Sequence, residues 1–323
     1  MPAPDPSPLV AITMGDPAGI GSEVVLKALA DPGIAALAAF VVIGDRQVLE
    51  ATAATLRLPL DTLPHLTVRH VDALNGQMPV AGRLDAACGR AAIEYVRQAT
   101  QMCLRGEAIA MVTAPINKEA VALSGRTFSG HTEFIAELCG VSDSRMMLAN
   151  ERLSVVHVST HIALRAACEV ATPAIVRTIE LGRQALGWLG KEAPRIAVCG
   201  LNPHAGEHGL FGHEDEQIVR PAIEAARSRG IPCHGPFAPD TIFIDAWAGA
   251  WDLVVVMYHD QGHIPMKLLD FANTVNVTLG IPIVRTSVDH GTAFNIAGRG
   301  IADPTSMKAA LRLGARMGLN RQP

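Results

Sequence analysis

A chain of 323 residues that is 49% hydrophobic and 18% charged can bury a sizeable core, which excludes global disorder and suits one large α/β unit or two domains. Its net charge of −4 offers no basic field for nucleic acid, and no apolar run reaches the roughly 18 residues of a membrane helix. Aromatic residues are only 4% of the chain, so the core must be built from Ala, Val, Ile and Leu, as parallel-sheet cores usually are.

The Pro-rich opening Met1–Pro8 cannot donate regular backbone hydrogen bonds and is expected to be a loose arm. From there strand-like and helix-like segments alternate, the pattern of βαβ units. Leu9–Met14 reads as a strand, Gly21–Ala30 as a helix, Phe40–Ile43 as a strand, and a further helix follows from Asp45. Asp85–Arg105 is a long Ala-rich helix and Ala108–Thr113 a strand. Thr172 and Pro173 supply an N-cap and a first helical position for a helix running to about Gly190. Glu214–Arg229 and Thr305–Met317 are the remaining clear helices. No internal repeat and no flexible linker are visible; Pro115–Lys118 and Gly262–Asn276 are the candidate crossings between two domains.

Six cysteines, Cys88, Cys103, Cys139, Cys168, Cys199 and Cys233, lie far apart without a C-x-x-C pair or a secretory signal. They fit reduced thiols in a cytoplasmic protein, each first a small buried hydrophobe.

Chemistry is expected where apolar strands end in polar groups, because ligands of open α/β sheets bind outside the carboxyl ends of strands. Val254–Met257 is followed by Tyr258, His259, Asp260 and Gln261. The run from Val155 leads to His161, and the run from Ile196 leads to His204. One such histidine is ordinarily a satisfied polar residue. Three at equivalent strand ends point to a metal site assembled by folding, since imidazole is the commonest metal ligand.

Other segments suit anions. Gly15-Asp-Pro-Ala-Gly-Ile-Gly21 is either a plain strand-to-helix turn or a cradle at a helix start. In Phe128-Ser-Gly-His-Thr-Glu-Phe134, Ser129 or Thr132 can cap a helix, whereas His131 is better explained by a ligand. Lys267, Asn276 and Arg285 are polar residues in the otherwise apolar stretch 264–288, and Arg285 follows a strand read at Ile281–Val284. Salt bridges to Asp270 or Asp289 are the structural alternative to phosphate or carboxylate binding there.

The segment Asp289-His-Gly-Thr-Ala-Phe-Asn-Ile-Ala-Gly-Arg-Gly-Ile-Ala-Asp-Pro304 resembles the cofactor loop of the β-decarboxylating dehydrogenases, the isocitrate and isopropylmalate enzymes among them. Gly130–Phe134, Thr160-His161, Gly200–Glu207, Pro239–Thr241, Tyr258–Gly262 and Arg285–Ala293 extend the resemblance along the chain, to the 4-hydroxythreonine-4-phosphate dehydrogenase family. This resemblance implies a two-domain α/β/α fold like that of isocitrate and isopropylmalate dehydrogenases, with a cleft between domains. Residues 1–117 and 276–323 would form a discontinuous domain with the cofactor loop. Residues 118–275 would form a central domain with the metal site and a homodimer interface.

Carried over residue by residue, the resemblance implies a divalent metal, zinc or else magnesium or cobalt, held by His161 and His204 of one subunit and His259 of the other. These three and Lys267 would be catalytic. His131, Thr132, Lys267, Asn276 and Arg285 would contact substrate, while Asp289, His290, Gly291, Asn295, Gly298 and Asp303 would bind NAD. The implied reaction is oxidation of the C3 hydroxyl of 4-phosphooxy-L-threonine, then decarboxylation to 3-amino-2-oxopropyl phosphate on the route to pyridoxal phosphate. His263-Ile-Pro-Met-Lys-Leu-Leu269 departs from that pattern and looks more like a branch acting on 4-phospho-D-threonate or 4-phospho-D-erythronate.

Overall fold

The computed structural model describes residues 8–63 and 65–321, so the expected N-terminal arm, Pro8 excepted, lies outside the described residues. The chain divides into two compact units, residues 1–144 with 281–323 and residues 145–280. The crossings differ from those expected at 117 and 276. Gly89, in the helix Ala86–Leu104, explains the first difference. A Cβ there would sit 2.2 Å from the Ala120 carbonyl oxygen, so its absence lets the helix Lys118–Leu123 pack directly on the N-terminal unit.

The first unit is built on β1 (Leu9–Thr13), β2 (Ala39–Gly44), β3 (Leu66–His70) and β4 (Ala110–Thr113). The second contains β5 (Arg145–Ala149), β6 (Ser154–His157), β7 (Ile196–Cys199), β8 (Cys233–Phe237), β9 (Leu253–Val256) and β10 (Val275–Leu279). The chain then returns to the first unit through β11 (Arg285–Ser287). Strand order in the first unit is β3-β2-β1-β4-β11, all parallel, with β1 and β4 wholly apolar inside except for Thr13 and Thr113. The helices Gly21–Leu29, Ala86–Leu104 and Thr305–Arg321 bury small and aliphatic faces in this unit.

In the second unit the order is β10-β5-β6-β9-β7-β8, and β5 pairs antiparallel with both β10 and β6. βαβ units account for the parallel pairs; between β5 and β6 the Asn150 Oδ1 accepts from the Arg152 and Leu153 amides, closing a tight turn that can join only antiparallel strands. The core around Leu148, Val155, Ala197, Val254 and Val256 is aliphatic, with Phe237, Trp247 and Trp251 packed at its margin.

Most elements fall where periodicity puts them; Asp45 and Asp85, for example, cap the helices Arg46–Leu56 and Ala86–Leu104 through their carboxylates. Two local expectations are corrected. Thr172 lies inside the helix Thr172–Trp188 rather than capping it, and its hydroxyl donates to the Ile218 carbonyl instead. Arg285 begins a strand rather than following one, because residues 281–284 form a bend before β11. No helix among the described residues is long and apolar enough to cross a membrane.

Candidate active site

Within the second unit, β6, β7 and β9 lie side by side and are parallel, so the segments carrying His161, His204 and His259 all leave the sheet at one end. His259 is the first residue of the helix His259–Asp270. Two residues on, Gln261 fixes that helix start: its Oε1 accepts from the Met257 amide at 2.7 Å and its Nε2 donates to the Gly200 carbonyl at 2.8 Å. One buried amide side chain thus ties the end of β9 to the end of β7.

The loop after β7 is unusual. His204, Ala205, Gly206, Glu207 and His208 all have positive φ, a conformation that is costly for non-glycine residues and persists only when its surroundings enforce it. Asp215 provides the enforcement. Fully buried, it accepts from the Leu201 amide at 2.6 Å and the Asn202 amide at 3.1 Å, while Asn202 donates to Glu214 at 2.8 Å. His204 itself is exposed and lies 3.8 Å from Asp240.

His161 is exposed and its ring centroid lies 5.8 Å from that of His259. Within one chain His161 thus has the ring of His259 as its neighbour. The donor chemistry fits a metal. His259 Nδ1 donates to the Asp260 carboxylate at 2.7 Å, which leaves the Nε2 lone pair available as a ligand, the usual arrangement around a metal-bound imidazole.

Among the described residues one set of three side chains, Asp45, His70 and Asp72, has ligand atoms within 4.8 Å of one another. That set is accounted for locally. Asp45 caps Gln47 and Val48, His70 Nδ1 accepts from the Arg46 amide, and Asp72 accepts from the Gly76 amide.

Beneath His259 lies a buried imidazole pair. His157 and His263 are joined Nε2 to Nδ1 at 3.0 Å, and His263 stacks on His259 with centroids 3.6 Å apart and planes at 11°. Burial, helped by the neighbouring His263, pulls the His157 imidazole down to about 3, so it is neutral.

In the first unit, His131 opens the helix His131–Leu138, whose N-cap is Gly130 with no side-chain cap, so neither Ser129 nor Thr132 plays the capping role considered above. The His131 Nε2 is enclosed and makes no hydrogen bond within the described residues, although the ring as a whole is partly exposed. Burial, then the Arg285 and Lys118 cations, hold its pKa well below the usual imidazole range. Arg285 is 2% exposed and donates to Thr113 Oγ1 at 2.7 Å. Burial draws the guanidinium down to about 9, opposed by Glu133, which still leaves it cationic at neutral pH. A helix start, two cations and a neutral imidazole, with the Glu133 carboxylate beside them, gather here, and such a donor set suits a phosphate or carboxylate. Lys118 belongs to this set and was missed in the sequence, where it read as part of a domain crossing.

Asn276 lies in β10 with a buried Oδ1 that has no partner among the described residues. Lys267 is exposed within the helix His259–Asp270, its ammonium 5.5 Å from the centre of the Phe271 ring. Lys267 therefore bears no cost of buried charge, in contrast to Arg285.

The Gly-rich segment from Asp289 to Asp303 packs on the first unit's N-terminal motif. The Ile20 amide donates to the Thr292 carbonyl at 3.1 Å, and a Cβ on Gly19 would lie 3.1 Å from the Thr292 side chain. Lys27 donates to the carbonyls of Gly300 at 2.9 Å and Ala302 at 2.8 Å, while Glu23 accepts from the Ala302 amide at 2.6 Å. This clamp, invisible in the sequence because its partners are more than 270 residues apart, holds the loop against the helix Gly21–Leu29. A cavity of about 170 Å³ opens beside Gly298, floored by Gly19, Ser22, Thr52 and Leu56. His290 has an enclosed Nε2 with no partner among the described residues, whereas Gly291, Asn295, Gly298 and Asp303 are exposed.

Comparison with known proteins shows the family of the chain. The sequence profile described as "Pyridoxal phosphate biosynthetic protein PdxA" matches residues 36–314. The D-threonate 4-phosphate dehydrogenase of Cupriavidus necator is 46% identical over 327 residues, covering 97% of this chain and 98% of that protein. The crystal structure of a 4-hydroxythreonine-4-phosphate dehydrogenase from Klebsiella pneumoniae is 42% identical, with a TM-score of 0.87 over 98% of this chain and 99% of the other. A beta-decarboxylating dehydrogenase from Thermococcus kodakarensis, 14% identical, shares the fold with a TM-score of 0.50 over 94% of this chain and 81% of that one. At that identity the likeness is one of fold alone, an α/β architecture shared with a beta-decarboxylating dehydrogenase.

Proposed function

Because the chain belongs to the family of pyridoxal phosphate biosynthetic protein PdxA, we propose that it is an NAD-dependent dehydrogenase, assisted by a divalent metal, that oxidises the C3 hydroxyl of a 4-phosphorylated four-carbon acid. The observation that carries this reading is the His161–His259 pair, 5.8 Å between ring centroids, with the Nε2 of His259 left as a lone pair by Asp260. His161 and His259 of one chain would hold the ion together with His204 of a second copy. Zinc, or else magnesium or cobalt, is the expected ion. Large apolar side chains stand exposed on the same segments, Ile162 and Leu164 beside His161, Leu210 and Phe211 beside His204, Ile264 and Leu268 beside His259. Their placement supports a homodimer interface around the site.

A bound ion would supply electrostatic stabilisation for negative charge at the C3 oxygen, and the nicotinamide would accept the hydride. The protein's own part is orientation. Arg285, Lys118 and the helix start at His131 fit the phosphate or carboxylate of the substrate, and His131, kept neutral, donates or accepts without adding charge. Asn276, Thr132 and Lys267 remain the further candidate contacts. The Asp289–Asp303 loop, clamped by Glu23 and Lys27, would carry the adenosine of NAD beside the cavity at Gly298. Only one cation, Arg299, lies in that loop, which favours NAD over its 2′-phosphorylated form. With a carboxylate β to the new ketone, loss of carbon dioxide would follow. A reducing cytoplasm suits six unpaired thiols.

Two substrates fit. With 4-phosphooxy-L-threonine the product would be 3-amino-2-oxopropyl phosphate. The His263 block, and the 46% identity to an enzyme named for D-threonate 4-phosphate, favour 4-phospho-D-threonate. A panel of both acids, 4-phospho-D-erythronate and their dephosphorylated forms, scored by absorbance of reduced cofactor, tests the proposal. Turnover of a phosphorylated acid only with NAD and metal supports it; turnover without cofactor, or none with any member, overturns it.

A further inference from the structure

His157 lies at the end of β6 and is fully buried, a position where a histidine is harder to accommodate than the aliphatic residues around it. Its contacts dictate its tautomer. Nδ1 faces the Met146 carbonyl oxygen at 3.2 Å, and a carbonyl can only accept, so Nδ1 carries the proton and Nε2 the lone pair. His263 must then donate through its own Nδ1, which lies 3.0 Å from His157 Nε2 and 3.2 Å from the carbonyl oxygen of His259, two acceptors on one donor. The chain of donors runs in a single direction, from His263 to His157 to the backbone of β5.

The same ring of His263 lies face to face with His259 at 3.6 Å, one helical turn away. Space for this stack is provided by Gly262, where a Cβ would fall 2.5 Å from His157 Nε2 and 2.9 Å from the side chain of Val256. Any side chain there would push His157 off His263. Three independent features thus converge on one imidazole: a glycine that admits the pair, a fixed tautomer in each member, and a stacked face beneath His259.

We infer that the His157–His263 pair is a positioning device for His259, holding its ring plane and the first turn of its helix so that Nε2 is aimed outward for ligation. This rests on the reading of His259 as a metal ligand given above. Neither buried histidine touches substrate or metal in this account. Their role is to fix a rotamer that a half-buried first-turn histidine would otherwise exchange for others.

The test uses full-length protein stripped of metal and titrated with Zn²⁺ or Co²⁺ against a chelator. His263→Leu and His157→Leu are expected to weaken metal binding by about tenfold to a hundredfold and to alter the visible spectrum of the Co²⁺ form. His157→Gln, whose Oε1 can still accept from His263, should keep affinity within about threefold. A purely structural pair would lower thermal stability in the Leu variants and leave metal affinity unchanged, which would overturn the inference. His259→Ala separates the two readings. If it leaves metal affinity intact, the ligand assignment fails and this inference with it; if it alone lowers affinity, only the positioning role fails. Should a Leu variant not fold, ¹⁵N spectra of histidine-labelled wild-type protein decide, since His157 and His263 must both carry the proton on Nδ1. A proton on Nε2 of either one contradicts the geometry.

Discussion

The Gln261 side-chain amide donates to the Gly200 carbonyl at 2.8 Å, joining the residue two places after His259 to the strand end that leads to His204. Replacing it with glutamate keeps the oxygen that accepts from Met257 but turns the other end into an acceptor facing an acceptor. Gln261→Glu is expected to destabilise the protein by about 1–3 kcal/mol and to lower kcat/KM together with metal affinity. A variant with unaltered melting temperature and affinity would show that the tie between β7 and β9 is dispensable.

Lys27 donates to two carbonyls of the Gly-rich loop and to Glu23. Lys27→Met keeps the aliphatic stem and loses all three bonds. The expected signature is selective: KM for NAD raised about tenfold, roughly 1.4 kcal/mol, with kcat nearly unchanged. A fall in kcat at constant KM would place the clamp's effect on chemistry instead of on cofactor binding.

For Arg285 the distinction is between charge and shape. Arg285→Lys preserves the cation but not the planar fork, so kcat/KM with phosphorylated substrate should drop by one to two orders of magnitude, roughly 1.4–2.7 kcal/mol. Dephosphorylated substrate should lose far less on the same substitution if Arg285 meets the phosphate. Equal losses with both would move Arg285 to the carboxylate end.

Asp16, in the turn after β1, is 1% exposed, and its Oδ2 has no partner among the described residues. Burial raises its pKa from 3.8 to about 6, opposed by the Ala18 and Asn117 amides. Because the folded-state pKa is the higher one, this carboxyl favours the folded state below about pH 4, and that contribution fades as pH rises through 6. Asp16→Asn is therefore expected to raise thermal stability at pH 8 by about 1–3 kcal/mol and to change little at pH 4. Equal effects at both values, read by thermal denaturation, would mean that Asp16 does not titrate in this way.

Much of this was legible in the sequence, for definable reasons. An apolar run that gives way to polar residues marks a buried strand leaving the sheet at its carboxyl end, which is why the segments of His161, His204 and His259 stood out as candidates by position alone. What the sequence hid lies in long-range partners. Glu23 and Lys27 look like an ordinary i, i+4 pair until the loop near Ala302 folds onto them. Asp215 looks like a residue of a helix start, yet its carboxylate sets the positive-φ loop of His204. His157 shows in the sequence only as a polar break in an apolar strand, and its partner is 106 residues away. The antiparallel β5 was missed because Asn150-Glu-Arg lacks the glycine that usually announces a tight turn.

The central claim, a metal site completed between two copies of the chain, is tested most directly by complementation. His204→Ala and His259→Ala are each expected to be inactive. Mixed under conditions of proven subunit exchange, they should recover partial activity, because one of the two sites in each mixed dimer regains His161, His204 and His259 intact. No recovery despite exchange would contradict a shared site and place all three histidines within one chain.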